Sequence, residues 1–159
     1  FPYTTLCRSA SHIAEYYANR GKDTLMAIEC YNNQSSVYRL LNNPDSVIMI
    51  EESAANKFLS IHNEKRYAQT LGGAITSLIK KGDLVKAKQY SILYEKSSGF
   101  FDEEGNIKKG REIYYYAKGE YYLAVNRLDS AEQMFRKLLK TTSLNNQIAG
   151  SKGLQRVYE

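Results

Sequence analysis

Tyr114-Tyr115-Tyr116-Ala117-Lys118-Gly119-Glu120-Tyr121-Tyr122-Leu123-Ala124, followed after four intervening residues by Asp129-Ser130-Ala131-Glu132-Gln133-Met134-Phe135-Arg136-Lys137-Leu138-Leu139, is the stretch that decides the fold. In both halves the large apolar residues recur three and four apart, the spacing that lays a stripe along one side of a helix. Tyr115, Gly119 and Tyr122 fall at i, i+4 and i+7 and read as the stripe packed against a partner helix. Tyr116, Glu120 and Leu123 form the adjacent stripe, about 100° around the helix. Asp129 with Glu132 three positions on predicts a capping box at the start of the second half, where side chains satisfy amides that have no partner inside the helix. Two amphipathic helices with a short break between them make a hairpin.

Outward from this hairpin the same pattern repeats in both directions. Periodic segments are predicted over about 3–19, 24–41, 45–60, 63–81, 83–97, 110–126 and 129–143, with an eighth opening near Asn145. Asp23 and the Asp45-Ser46 pair read as caps, and Gly21, Asn42-Asn43-Pro44 and Gly82 read as stops. The long break at Ser98–Lys109 reads as a flexible helix–helix connection. Two prolines, no tryptophan and fourteen tyrosines suit long helices whose bulky packing residues are mostly Tyr, because proline is what most often interrupts a helix interior. No alternation of strand period and useful length is present, so the class is all-α.

Counted from Gly119, the residues Tyr122, Ala131, Phe135 and Leu138 lie at offsets of 3, 12, 16 and 19, and Gly153 follows at 34. These offsets and that period resemble the tetratricopeptide repeat (TPR) family. Two further units align more loosely, one with Leu71, Ile75 and Leu78 before Ala87, the other with Tyr31, Ser35 and Tyr38 before Val47. The anchors Val47, Ala87 and Ala131 are 40 and 44 apart, which calls for longer connections than the family norm. The resemblance implies a right-handed superhelix of antiparallel hairpins forming one domain over 1–159. Residues 1–22 would be a preceding helix, 24–61, 63–97 and 110–143 hairpins, and 145–159 the start of a further repeat. It is similar to the degenerate arrays of multi-domain bacterial regulatory proteins, and a chain that opens at Phe1 is expected to be a piece of a longer one. In such a superhelix one stripe of each first helix faces a concave groove. The positions implied here are Asn32, Ser36 and Arg39, then Gln69, Gly72 and Thr76, then Tyr116, Glu120 and Leu123. Members that clamp a peptide's C-terminal carboxylate carry Lys and Asn where this chain has Gly72 and Thr76, or Tyr116 and Glu120, so that clamp is not expected.

Charge and chemistry narrow the function. The 22 basic and 17 acidic residues are interleaved, giving a net charge of +5 with no block that reads as a nucleic-acid footprint. Aromatic and basic neighbours around Tyr116 could stack single-stranded bases, but their helical spacing is better read as packing. The longest aliphatic runs are too short to span a bilayer, and the segment is expected to be soluble, either cytoplasmic or the periplasmic part of an anchored regulator. Cys7 and Cys30 give neither a disulfide framework nor a zinc pattern and read as small buried residues. His12 and His62 lack neighbours of ligand type. Asp102, Glu104 and Asn106 lack the glycine and bidentate glutamate spacing of a calcium loop. Gly105–Gly110 lacks the ending and the preceding strand of a phosphate cradle. Gly150-Ser151-Lys152-Gly153 lacks the spacing of a nucleophile elbow. With no metal, cofactor or catalytic group in view, the expectation is a non-catalytic scaffold that binds a protein or peptide segment in its groove. The alternative is a ligand-responsive sensory domain coupled to an output module elsewhere.

Overall fold

The computed structural model describes the backbone of residues 2–159 and the side chains of that range other than 2–4, 6–8, 10 and 11. It is all-helical. The helices are α1 (Pro2–Arg20), α2 (Thr24–Leu40), α3 (Pro44–Ser60), α4 (Glu64–Lys81), α5 (Leu84–Ser97), α6 (Tyr114–Ala124), α7 (Leu128–Leu139) and α8 (Leu144–Tyr158).

Local chemistry sets most of these boundaries. Asp23, Asn43, Asn63, Asp83 and Ser143 each sit at an N-cap and accept a hydrogen bond from the amide three residues on, satisfying one of the donors a helix start leaves free. The cap of α3 is therefore Asn43, with Pro44 in the first turn where its missing N–H costs nothing, rather than the Asp45-Ser46 pair. The expected capping box of α7 does not form. Arg127 occupies its cap without a side-chain bond, and Glu132 instead accepts from Arg136 Nε at 2.7 Å and Tyr158 Oη at 2.8 Å.

Five of the tight turns carry one residue at positive φ, Lys22, Asn42, His62, Gly82 and Asn126, and the α7–α8 turn carries none. The first four are twenty residues apart, so the chain reverses on a fixed pitch and one hairpin takes forty residues. This explains the offset of 40 between Val47 and Ala87. The additional residues lengthen the helices, which run to 17 residues in α2 and α3 and 18 in α4, against 11 and 12 in α6 and α7. Between Val47 and Ala87 they do not lengthen the connections, contrary to the sequence reading, whereas the offset of 44 from Ala87 to Ala131 does contain the expected long connection, 98–113. His62 is here a turn residue with an exposed side chain.

Consecutive helices joined by short turns lie antiparallel and pack along their lengths. The further contacts of any extent run from α6 to α4, α5 and α8. No substantial contact joins helices more than two apart, so the described chain is a linear stack rather than a bundle around one centre. The anchors Val47, Ala87 and Ala131 are all fully buried, as are Phe58, Ile75, Leu78, Phe135 and Leu138. Cys30 is buried; the expectation for Cys7 lies outside the described side chains.

The connection after α5 folds as a hairpin. Phe101 pairs with Ile107 in a single antiparallel bridge, and Asp102 Oδ1 accepts from the amides of Glu104 at 3.1 Å and Asn106 at 2.7 Å. Gly105, at φ +80, turns the tip. Phe100 and Phe101 fold back onto Tyr94, with ring centroids 5.8 and 6.0 Å away, so two aromatic anchors hold the loop to the core. Gly110, at φ +86, postpones the start of α6 to Tyr114, four residues later than expected.

Candidate ligand groove

Helices α2, α4 and α6 and the 98–113 connection enclose an open cavity of about 660 Å³. Helical period explains why α4 makes its floor. Arg66, Gln69, Gly73, Thr76 and Lys80 are spaced by three, four, three and four residues, so they form one continuous row. Asn32 and Arg39, seven apart on α2, form one wall, and Phe100, Arg111 and Tyr116 form the other.

Two glycines of α4 make that floor possible by letting neighbours come close. The Tyr94 ring lies where a Cβ on Gly72 would stand. A Cβ on Gly73 would meet the Glu51 carboxylate at 2.6 Å. Glu51 is buried on α3, behind the floor. It accepts from Ser35 Oγ at 2.9 Å and pairs with the Arg39 guanidinium, which also donates to the Gly73 carbonyl at 3.1 Å. One arginine thus ties α2, α3 and α4 together while its side chain remains partly open to the cavity. Burial raises the Glu51 carboxyl above its ordinary pKa, a tendency that Arg39 and Ser35 oppose. Its Oε2 has no hydrogen-bond partner.

The connection is pinned to the same floor. Gln69 Nε2 donates to the Ser98 carbonyl at 2.7 Å. Within the connection itself, the Arg111 guanidinium stands 4.3 Å above the Phe100 ring. Arg66 pairs with Glu29 at 2.5 Å, and Lys80 Nζ reaches Asn42 Oδ1 at 3.2 Å.

Of the groove residues expected from sequence, Asn32, Arg39, Gln69, Gly72, Thr76 and Tyr116 line this cavity together. Ser36, Glu120 and Leu123 do not. Ser36 is exposed on α2 outside the lining. Glu120 is committed to α8, where both its oxygens accept from Arg156 Nη1 at 2.5 and 2.6 Å. Leu123 packs in the cluster around Ala131, Phe135 and Leu138. The two stripes of α6 also fail to separate into a buried row and a free row, since Tyr115, Tyr116, Tyr122 and Leu123 are all half-buried against that cluster. The reason is α8, which continues the stack and covers part of the face that a single hairpin would leave open.

Sequence reading missed Arg66, Lys80, Phe100 and Arg111. The first two were legible in principle, because the row from Arg66 through Gly73 to Lys80 has a strict seven-residue spacing. The last two lie on the connection, where no period points to the cavity. Among the described residues, no group of His, Cys, Asp and Glu is arranged to hold a metal ion, and no helix is long and apolar enough to cross a membrane. No protein-family model matches the chain, and neither does any curated protein or solved structure compared with it.

Proposed function

We propose that this chain is a TPR-like scaffold, a right-handed stack of helical hairpins that captures a protein or peptide segment in the cavity between α2, α4 and α6 and has no catalytic activity of its own. The observation that carries this reading is the convergence of six sequence-expected groove residues from three non-consecutive helices on one open cavity. A groove with polar walls and an aromatic end suits a segment held by a few anchors. Photocrosslinking tests it. A benzoylphenylalanine at Thr76, inside the cavity, should trap a polypeptide from the source organism, whereas the same group at Lys88, exposed on α5 and outside the cavity lining, should not. Equal capture from both positions would refute the assignment of the groove.

A second reading is a sensory domain of a bacterial regulator that responds to a small ligand. The cavity volume favours it, since about 660 Å³ lies within the usual range for small-molecule sites. A metabolite that raises the melting temperature of the wild type, but not of a Thr76→Trp variant that fills the cavity, would select this reading over the first.

A further inference from the structure

The charges around the cavity define what would occupy it. Arg39, Arg66, Lys80 and Arg111 line it, and among the described residues no Asp or Glu does. Two of the four have carboxylate partners outside the lining, Glu51 for Arg39 and Glu29 for Arg66. The other two have none among the described residues: Lys80 rests on a neutral amide oxygen, and Arg111 on an aromatic face. The cavity therefore holds two cations that are not ion-paired with a carboxylate among the described residues, in a chain whose basic and acidic residues are otherwise interleaved.

Their placement is as informative as their sign. Arg66 and Lys80 are fourteen residues apart on one straight element, about 21 Å at 1.5 Å per residue, and about 40° apart around it. A compact anion held at Lys80 would leave the rest of the row, up to Arg66, unfilled. An extended chain at about 3.3 Å per residue covers the distance with about six residues. In the wall facing that row, Phe100 and Tyr116 offer apolar surface to a side chain directed inward, beside Arg111.

We propose that the cavity binds an extended acidic peptide segment, with carboxylates set against Lys80 and Arg111 and one apolar or aromatic side chain against Phe100 and Tyr116. This rests on the peptide-binding reading above and specifies the chemistry of its partner. Opposite charge would speed encounter and fix register, while the buried apolar anchor would supply most of the hold.

The test is selection from a random ten-residue display library, with the wild type and with a Lys80→Glu/Arg111→Glu variant as baits. Both side chains are exposed, so the variant is expected to keep its helix signal and melting temperature. Peptides selected on the wild type should show at least threefold enrichment of Asp and Glu over the unselected library and contain an aromatic or branched apolar residue. A synthetic consensus peptide should lose at least tenfold in affinity for the variant, and peptides selected on the variant should be enriched in Lys and Arg. Wild-type binders without acidic enrichment that are lost in Thr76→Trp would overturn this proposal and leave the groove reading standing. Absence of any binder sensitive to Thr76→Trp would overturn both. Displacement of the consensus peptide by a ten-residue oligothymidylate at equal concentration would assign the cations to nucleic acid and overturn the proposal as well.

Discussion

Phe135 is the residue on which the C-terminal half closes, because glycines 34 apart in sequence face it from two helices. A Cβ on Gly119 would lie 2.5 Å from its ring, and a Cβ on Gly153 would overlap the same ring. In an open helix interior Gly→Ala gains about 0.5–1 kcal/mol. Here the sign should reverse, with Gly119→Ala costing about 1–3 kcal/mol from overpacking in a denaturant titration. In a Phe135→Leu background the penalty should shrink by more than half, since the atoms that clash are gone. Glu51 provides a second prediction at this scale. Its carboxyl is raised by burial, so the folded state binds the proton more tightly than the unfolded chain. Its contribution to stability is then fully present below the ordinary pKa of about 4.5 and is lost as pH rises through the higher folded value. The stability difference between wild type and Glu51→Gln should fall with rising pH across that interval, and a flat difference from pH 4 to 7 would contradict the burial argument.

The element that departs most from expectation is the connection between α5 and α6. Its hairpin shape comes from two local devices, the Asp102 carboxylate that collects amides of its own turn and Gly105 at positive φ, together with aromatic anchors against Tyr94. Gly105→Ala forces a Cβ into the left-handed region, where L-residues lose about 1–2 kcal/mol, although the space around it is open. Gly105→Asn should restore most of that loss, because Asn tolerates this conformation. Thermal melts of the two variants will separate a conformational cause from a steric one. Since Gln69 binds this element to the cavity floor, an Asp102→Ala variant should also speed amide exchange at Lys108, whose N–H donates to the Phe100 carbonyl at the neck of the hairpin.

At the scale of the whole molecule, contacts that reach no further than the second helix along the chain imply an extended stack. A compact chain of 159 residues would have a radius of gyration of about 15 Å. Small-angle scattering should return a clearly larger value, with an asymmetric pair-distance distribution. A value at the compact limit would require contacts between the ends that this arrangement lacks. Far-ultraviolet circular dichroism should be dominated by helix, with the 98–113 hairpin contributing too little to register.

Local rules made the elements legible in the sequence. Apolar spacing located all eight helices, Asp23 and Asp83 announced two of their starts, and Gly82 announced a stop, because each effect acts over four residues or fewer. The close approach at Gly119 was legible for the same reason, and the half of the groove contributed by Asn32, Arg39, Gln69 and Thr76 was implied by the repeat resemblance, which sets the register of each first helix. Only the tertiary structure decided the rest. It turned Glu120 and Leu123 toward α8, folded the Phe100-Phe101 pair back over Tyr94, and brought Arg111 across to face a row on α4. These outcomes depend on which surfaces meet once helices stack, and a one-dimensional pattern encodes the shape of each surface without its partner.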